Sequence, residues 1–188
     1  MSEKPSNTIW VRFTWNLNDL QVDIKPPEQY KFRSASVDEL DKVLEVVLAA
    51  YSSDLIWLPL MEGIRKRMTD RIHSTIGKPD VDYIIAEFGD QIVAVSGIAK
   101  SHWTSQNLLT GICVLPEHQR KGLGKYLLGL SLMRLKEMDL QQACVYTEAK
   151  SLADRKIYSL YGSSREENVK YPGVRQPLKI KKQKWEPL

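Results

Sequence analysis

Apolar and polar residues alternate twice near the N-terminus. Ile9, Val11, Phe13 and Trp15 stand against Trp10, Arg12 and Thr14, and Leu20, Val22 and Ile24 stand against Gln21, Asp23 and Lys25. Period two is the signature of a strand with one buried face. The turn-tolerant run Asn16-Leu17-Asn18-Asp19 joins the two runs and Pro26-Pro27 ends them, so residues 1–28 are predicted to form a β-hairpin extension, with a single domain over residues 29–188.

Beyond the prolines the period changes. A short strand is expected over Tyr30 to Arg33, followed by Ser36-Val37-Asp38-Glu39, a capping box in which serine and glutamate satisfy each other's orphan amides. Leu40, Val43, Leu44, Val47 and Tyr51 then recur at helical spacing, as do Met61, Ile64, Arg65, Met68 and Ile72 in a second helix from Leu60 to about Ile76. Strands are expected over Asp82 to Glu87 and Gln91 to His102, joined by Phe88-Gly89-Asp90. Further strands follow over Leu108 to Val114 and Ala143 to Tyr146, with a leucine-rich helix from Gly122 to Met138 between them. A last helix is expected over Leu152 to Leu160, and strands near Val169-Lys170-Tyr171 and over Leu178 to Trp185. This mixed order predicts an α/β (α+β) three-layer domain, with a mixed, mostly antiparallel central sheet between helices.

Composition narrows the class. With 188 residues, 43% hydrophobic, the chain can bury one core of ordinary size. Cys113 and Cys144 each sit in an apolar run, too few for a disulfide framework or a four-ligand zinc site, and read as buried thiols of an intracellular protein. His73, His102 and His118 have no ligand spacing, so no metal is expected. No apolar stretch reaches the ~20 residues of a membrane span, and no leader pattern opens the chain, so a cytoplasmic protein without a membrane partner is expected. The net charge is +4, and Lys179, Lys181, Lys182 and Lys184 supply a local excess that reads as a solvated tail in preference to a nucleic-acid surface.

One stretch carries chemistry. Ile112-Cys113-Val114 ends a buried strand, Leu115-Pro116 bounds a turn, and Gln119-Arg120-Lys121-Gly122-Leu123-Gly124-Lys125 leads straight into a helix. The two glycines let backbone approach a ligand closely, and the amides at the helix start are unpaired donors favoured by the helix dipole. Arg120 and Lys121 add charge at the rim. This is the make-up of a pyrophosphate cradle.

The same residues resemble the signature of the GCN5-related N-acetyltransferase (GNAT) superfamily: a strand ending Val-x-Pro, here Val114-Leu115-Pro116, and then Gln/Arg-x-x-Gly-x-Gly/Ala, here Gln119 to Gly124. The resemblance implies a transferase, an N-acetyltransferase with acetyl-CoA as co-substrate. It would place the pyrophosphate on the amides of Gln119, Arg120, Lys121, Gly122, Leu123, Gly124 and Lys125, and the pantetheine along Ile112 to Val114. A second family pattern, Asn, Ala, Tyr and Gly at offsets of three, four and four, falls here on Ser151, Asp154, Tyr158 and Gly162. By this resemblance Tyr158 is the general acid that protonates the departing thiolate, and Ser151 stands where a pantetheine contact would be. The strand acid that serves many members as base has no counterpart in Asn107 to Cys113, which leaves Glu148 and Glu87 as water-holding substitutes or ordinary surface acids.

The resemblance also places the acceptor amine beside the loop Tyr51 to Leu60. There Trp57, with Leu55, Ile56 and Leu58, would form an apolar wall, and Asp54 could hold a cation. A small or amino-acid-like amine is the first expectation for the acceptor and a protein amine the second. A non-catalytic acyl-CoA-binding or sensing module is the alternative from another class. A Trp10 or Trp15 left exposed on the hairpin edge would mark a homodimer interface.

Overall fold

The computed structural model describes residues 8–100 and 106–172. Strand β1 (Trp10–Asn16) opens the fold, and β2 (Lys31–Ser34) follows an extended stretch. Helix α1 (Leu40–Ser52), a short 3-10 segment over Leu55–Leu60 and α2 (Met61–Thr75) come next. β3 (Val81–Phe88), β4 (Gln91–Ala99) and β5 (Leu108–Val114) lead into α3 (Leu123–Glu137), β6 (Gln142–Glu148), α4 (Leu152–Lys156) and β7 (Ser164–Glu167).

The strands form two sheets, one in the order β2-β3-β4-β5 and one in the order β6-β1-β7, and every pairing is antiparallel. Strands buried on both faces must be apolar at both parities, and β3 and β4 are. Tyr83, Ile85 and Val95 join Val43, Val47, Ile64, Met68 and Ile72 under α1 and α2. Ile84, Ala86 and Ala94 face the opposite way, into a core with Leu127, Leu128 and Leu132 of α3. Helices on both faces of an antiparallel sheet are the expected three layers, with the single central sheet divided in two.

The division falls between β5 and β6, which are held together at one end only. The Asn107 amide donates to the Cys144 carbonyl at 2.9 Å, and the Cys144 amide donates back to Asn107 Oδ1 at 3.0 Å. Gln106 Oε1 takes the Tyr146 amide at 3.2 Å. No backbone ladder joins the two strands past this clasp among the described residues.

Three expectations need correction. Residues 20–24 form no strand, so the N-terminal hairpin does not exist. β1 instead lies between β6 and β7, with Trp10 opposite Glu148 and Val11 opposite Glu167. The second alternating run is extended chain laid on α3: an added Cβ at Gly129 would meet Ile24 Cδ1 at 2.7 Å and Val22 Cγ1 at 2.8 Å. Alternation records which way side chains face and says nothing of what pairs with the backbone. Second, Val169 to Tyr171 is not a strand, and the strand that follows α4 is Ser164–Glu167, an exposed edge without an apolar residue to announce it. Third, Trp15 is fully buried and Trp10 half-buried, so neither is the exposed edge residue that would have marked a homodimer interface. The expected strand over Leu178 to Trp185, the lysine run, the end of the Gln91 to His102 strand and the first seven residues lie outside the described residues.

Most remaining boundaries shift by a residue or two, as element ends do, but the helix expected from Leu152 to Leu160 stops at Lys156. The capping box forms: the Ser36 amide donates to Glu39 Oε2 at 2.9 Å, and the same carboxylate pairs with Arg33 at 2.7 Å. On α2 the apolar face holds Ile64, Met68, Arg71, Ile72 and Thr75, while Arg65, expected on it, is exposed. No single helix among the described residues is long and apolar enough to cross a membrane.

Candidate active site

Where β5 and β6 part, a cleft of about 650 Å³ opens. Its walls come from Thr110 to Val114 of β5, Tyr146 and Thr147 of β6, α4 with Ile157 and Tyr158, and Tyr51, Asp54 and Trp57 from the α1 to α2 connection. Gln119, Arg120 and Gly124 edge the cleft.

The backbone of β5 is shaped for this site. Register slips at Gly97 and Ile98, and Gly111 has φ +70°, so the strand bulges there. Thr110 Oγ1 takes the Gly97 amide at 2.8 Å, closing the gap left in the ladder. A Cβ at Gly111 would lie 2.5 Å from the Tyr158 hydroxyl, so glycine is needed there for space as well as for conformation. The Ile112 amide, turned away from the ladder, donates to the Tyr158 hydroxyl at 3.2 Å. Acting as acceptor, the phenol keeps its own proton to give.

Tyr158 is 3% exposed, and its ring lies 5.6 Å from Phe13 and 6.0 Å from Trp15, centroid to centroid. Both belong to β1, and the Trp15 indole donates to the Leu160 carbonyl at 2.8 Å, fixing the segment beyond the tyrosine. Burial raises the Tyr158 pKa well above the phenol range, opposed by the Ile112 amide, with the neighbouring Cys113 adding to the rise. The hydroxyl therefore stays protonated at any physiological pH. Burial likewise pushes the Cys113 thiol up to about 12, which leaves it a buried thiol without nucleophilic character, as expected.

The motif loop has the expected form. Arg120 at φ +60° and Gly122 at φ +82° turn the chain into α3, whose first amides at Leu123, Gly124 and Lys125 have no intrahelical acceptor by helix geometry. A Cβ at Gly124 would press on Ile157 Cδ1 at 3.0 Å, and Gly122 has room but needs its left-handed conformation. Gln119 does something else: its amide donates to the Pro116 carbonyl at 3.2 Å and its side chain to the Val114 carbonyl at 3.1 Å, so it ties the loop to β5.

The expected site residues do not all gather. Tyr158, Ile112, Val114, Gln119, Arg120 and Gly124 line the cleft; Lys121, Gly122, Leu123, Lys125 and Ser151 do not. Leu123 is in the core, and Ser151 is fully buried, where its hydroxyl takes the Asp154 amide at 3.1 Å and caps α4. Asp54 takes the amides of Ile56 and Leu152, which staples the α1 to α2 connection onto α4. Trp57 faces the cleft, but Leu55 and Leu58 point to solvent, so the apolar wall is Trp57 with Tyr51. His118 packs on Phe88 and bonds the Tyr30 hydroxyl at 3.0 Å, away from the cleft. Glu87 pairs with Arg33. Glu148 does not line the cleft, and its carboxyl pKa is raised by burial and then by Asp54.

Residues 79–162 match the model of the acetyltransferase (GNAT) domain. This stretch is a GNAT domain. It contains β5, the motif loop, α3 and Tyr158, and leaves β1 and α2 outside. The GNAT fold recurs in solved structures of low identity. A Drosophila protein aligns over 85% of this chain and 49% of its own length, at a TM-score of 0.58 and 14% identity. A GCN5-related N-acetyltransferase from Kribbella flavida aligns over 86% and 56%, at 0.53 and 15%. A predicted acetyltransferase of Clostridium acetobutylicum, solved with acetyl-CoA, aligns over 71% and 88%, at 0.50 and 19%. The chain thus spans about half the length of the first two. No curated protein sequence matches it.

Sequence reasoning left out Phe13, Trp15 and Asn107 around this GNAT cleft. Inward-facing aromatics at Phe13 and Trp15 were a signal, since such a strand needs a partner sheet.

Proposed function

We propose that this protein is an acetyl-CoA-dependent N-acetyltransferase acting on a small amine in a cytoplasmic setting. The observation that carries the reading is the Tyr158 hydroxyl resting on the Ile112 amide inside the parting of β5 and β6, with the glycine loop at its rim. The residues present suit acetyl-CoA. The amides of Leu123, Gly124 and Lys125, with Arg120, would hold the pyrophosphate, and the opened edge of β5 from Ile112 to Val114 offers backbone to the pantetheine. The bound thioester supplies the activated acetyl group and a thiolate leaving group.

The chain's own contribution follows from the geometry. The Ile112 N–H, donating to Tyr158 Oη, fixes the phenol in the cleft and draws electron density from its oxygen, which favours release of its proton. Tyr158 Oη gives its proton to the departing sulfur, and its high pKa keeps it in the donating form. Trp57 and Tyr51 close the cleft on the acceptor side and favour a small amine over a polypeptide chain. Ser151, Lys121 and Gly122 would act through the shape of the loop and of α4.

A second reading, an acyl-CoA-binding module without turnover, draws on one specific observation. Asp54 is the one carboxylate among the described lining residues, and each of its oxygens already takes a backbone amide, which ties it to structure. CoA release from acetyl-CoA with a panel of amines separates the two. Release with an amine that is lost in Tyr158→Phe supports transfer, and tight acetyl-CoA binding without release from any amine supports the module.

A further inference from the structure

Helix α2 carries two arginines one turn apart, Arg67 and Arg71, facing a small second cavity. Arg71 is only 4% exposed, on a helix face otherwise built of Ile64, Met68, Ile72 and Thr75. A buried guanidinium costs several kcal/mol unless paired, yet no carboxylate pairs with Arg67 or Arg71 among the described residues. Arg71 does have neutral partners: Nη1 donates to the Leu109 carbonyl, and Nη2 to the Tyr171 hydroxyl at 3.4 Å. Its Nε has none, and neither has the buried Nε of Arg67. Both arginines line the cavity, and Trp10, Trp57, Tyr146 and Tyr171 supply aromatic walls.

Tyr51, Trp57 and Tyr146 line this cavity and the larger cleft alike, so the two spaces adjoin at the end where the acceptor would sit. Two cations lining one aromatic pocket, each with an unpartnered buried Nε–H and no ion pair to an acid among the described residues, with Arg67 lying over the Tyr171 ring at 5.1 Å, form a seat for a small anion. A carboxylate has two oxygens for the two free N–H groups, and arginine is the side chain that binds it with directed bonds.

Resting on the acetyltransferase reading, we infer that the acceptor is an amine that also bears a carboxylate, an amino acid with an apolar or aromatic side chain, whose carboxylate is held by Arg67 and Arg71. The cavity of about 20 Å³ holds little more than a water-sized group. Tyr171, held to Arg71 by a long hydrogen bond and stacked on Trp10 at 4.4 Å, turns aside to admit the carboxylate.

The test uses the full chain with saturating acetyl-CoA and a matched pair, phenylalanine and phenethylamine, which differ only by the carboxylate. Phenylalanine is expected to be the better substrate by at least ~30-fold in kcat/KM, the scale of charge-assisted hydrogen bonds. Arg67→Gln raises KM for phenylalanine by ~10-fold or more and leaves phenethylamine unchanged. Equal use of the two amines, or an equal effect of Arg67→Gln on both, overturns the inference while leaving acetyl transfer intact. Because Arg71 is buried and its variants can unfold, Arg71→Lys is read only alongside its melting temperature, and Arg67→Gln decides. If neither amine releases CoA, it is acetyl transfer that fails, and calorimetric titration with phenylacetate, which has no amine, decides separately. A Kd that rises ~10-fold in Arg67→Gln supports the carboxylate seat, and the absence of binding to the native chain overturns it.

Discussion

The two ends of the cleft are built in different ways. The loop end comes from one continuous stretch, Ile112 to Lys125, in which strand, turn, glycines and helix start follow each other directly. The tyrosine end is assembled from parts far apart in the chain: Tyr158 from the segment after α4, Phe13 and Trp15 from β1, and the bulge at Gly111 from β5. A contiguous site keeps its chemistry as long as its local conformations hold. An assembled site depends on the packing that brings its parts together, so damage to stability and damage to chemistry coincide there.

That contrast can be tested by substitution, beginning where the effect should be largest. Trp15→Ala removes a fully buried indole from beneath Tyr158 and is expected to cost ~3–5 kcal/mol in urea unfolding. Activity should fall even where the folded state is restored by cold or osmolyte. If turnover per folded molecule were unchanged, β1 would be scaffold only. Tyr158→Phe is expected to lower kcat by ~10²–10⁴-fold while acetyl-CoA binding by calorimetry stays within about twofold. Gly111→Ala combines a Cβ 2.5 Å from the phenol oxygen with a left-handed backbone, and should cost ~2–4 kcal/mol and displace the tyrosine together. Gly122→Ala is a loop-end counterpart whose Cβ would meet only Pro27 Cγ, at an ordinary 3.9 Å, so about 1 kcal/mol from backbone strain is expected, read as a weaker Kd for acetyl-CoA with kcat retained.

The smallest effect lies outside both ends. The Arg33 guanidinium, and then the Ser36 amide, hold the Glu39 carboxyl down at about 2 instead of 4.5. A carboxyl lowered in the folded state adds stability above its unfolded value, and that stability fades as pH falls from about 4.5 toward 2. For a pair at the surface the contribution is under ~1 kcal/mol, so Glu39→Gln should flatten the acid limb of the stability curve slightly and leave the cleft untouched.

The same contrast explains what could be read in the sequence. The strand Leu108 to Val114 was legible to the residue, because an apolar run bounded by turn signals leaves little choice. The loop was legible because its chemistry is written in consecutive residues. Tyr158 stood out only through the family resemblance, whose second pattern runs over the nearby residues Ser151 to Gly162. The role of β1 was not legible, since alternation in Val11, Phe13 and Trp15 showed a buried face without naming its partner. β7 was invisible because Ser164 to Glu167 contains no apolar residue; it is held by its ladder to β1 and by the ion pairs of Arg165 with Asp154 and of Glu166 with Arg12. Arg71 was hidden in plain spacing: counting by three and four from Ile64 and Met68 reaches it, and a cation on that face was the signal of a polar pocket.

The place of β1 has a further consequence, for the order in which the molecule can be made. Residue 12 finds its backbone partners only at residues 146 and 166, so this strand cannot be zipped into its sheet until nearly all of the described chain has left the ribosome. The β2 to β5 meander, by contrast, joins strands mostly adjacent in sequence and can close early. Closure of the loop from β1 to β6 is the non-local event that slows folding, and until it happens Phe13 and Trp15 are uncovered and Tyr158 has no floor. Competence for chemistry is therefore the last thing this chain acquires as it folds, and a chaperone that shields the waiting strand should raise the yield of active protein more than the yield of compact protein.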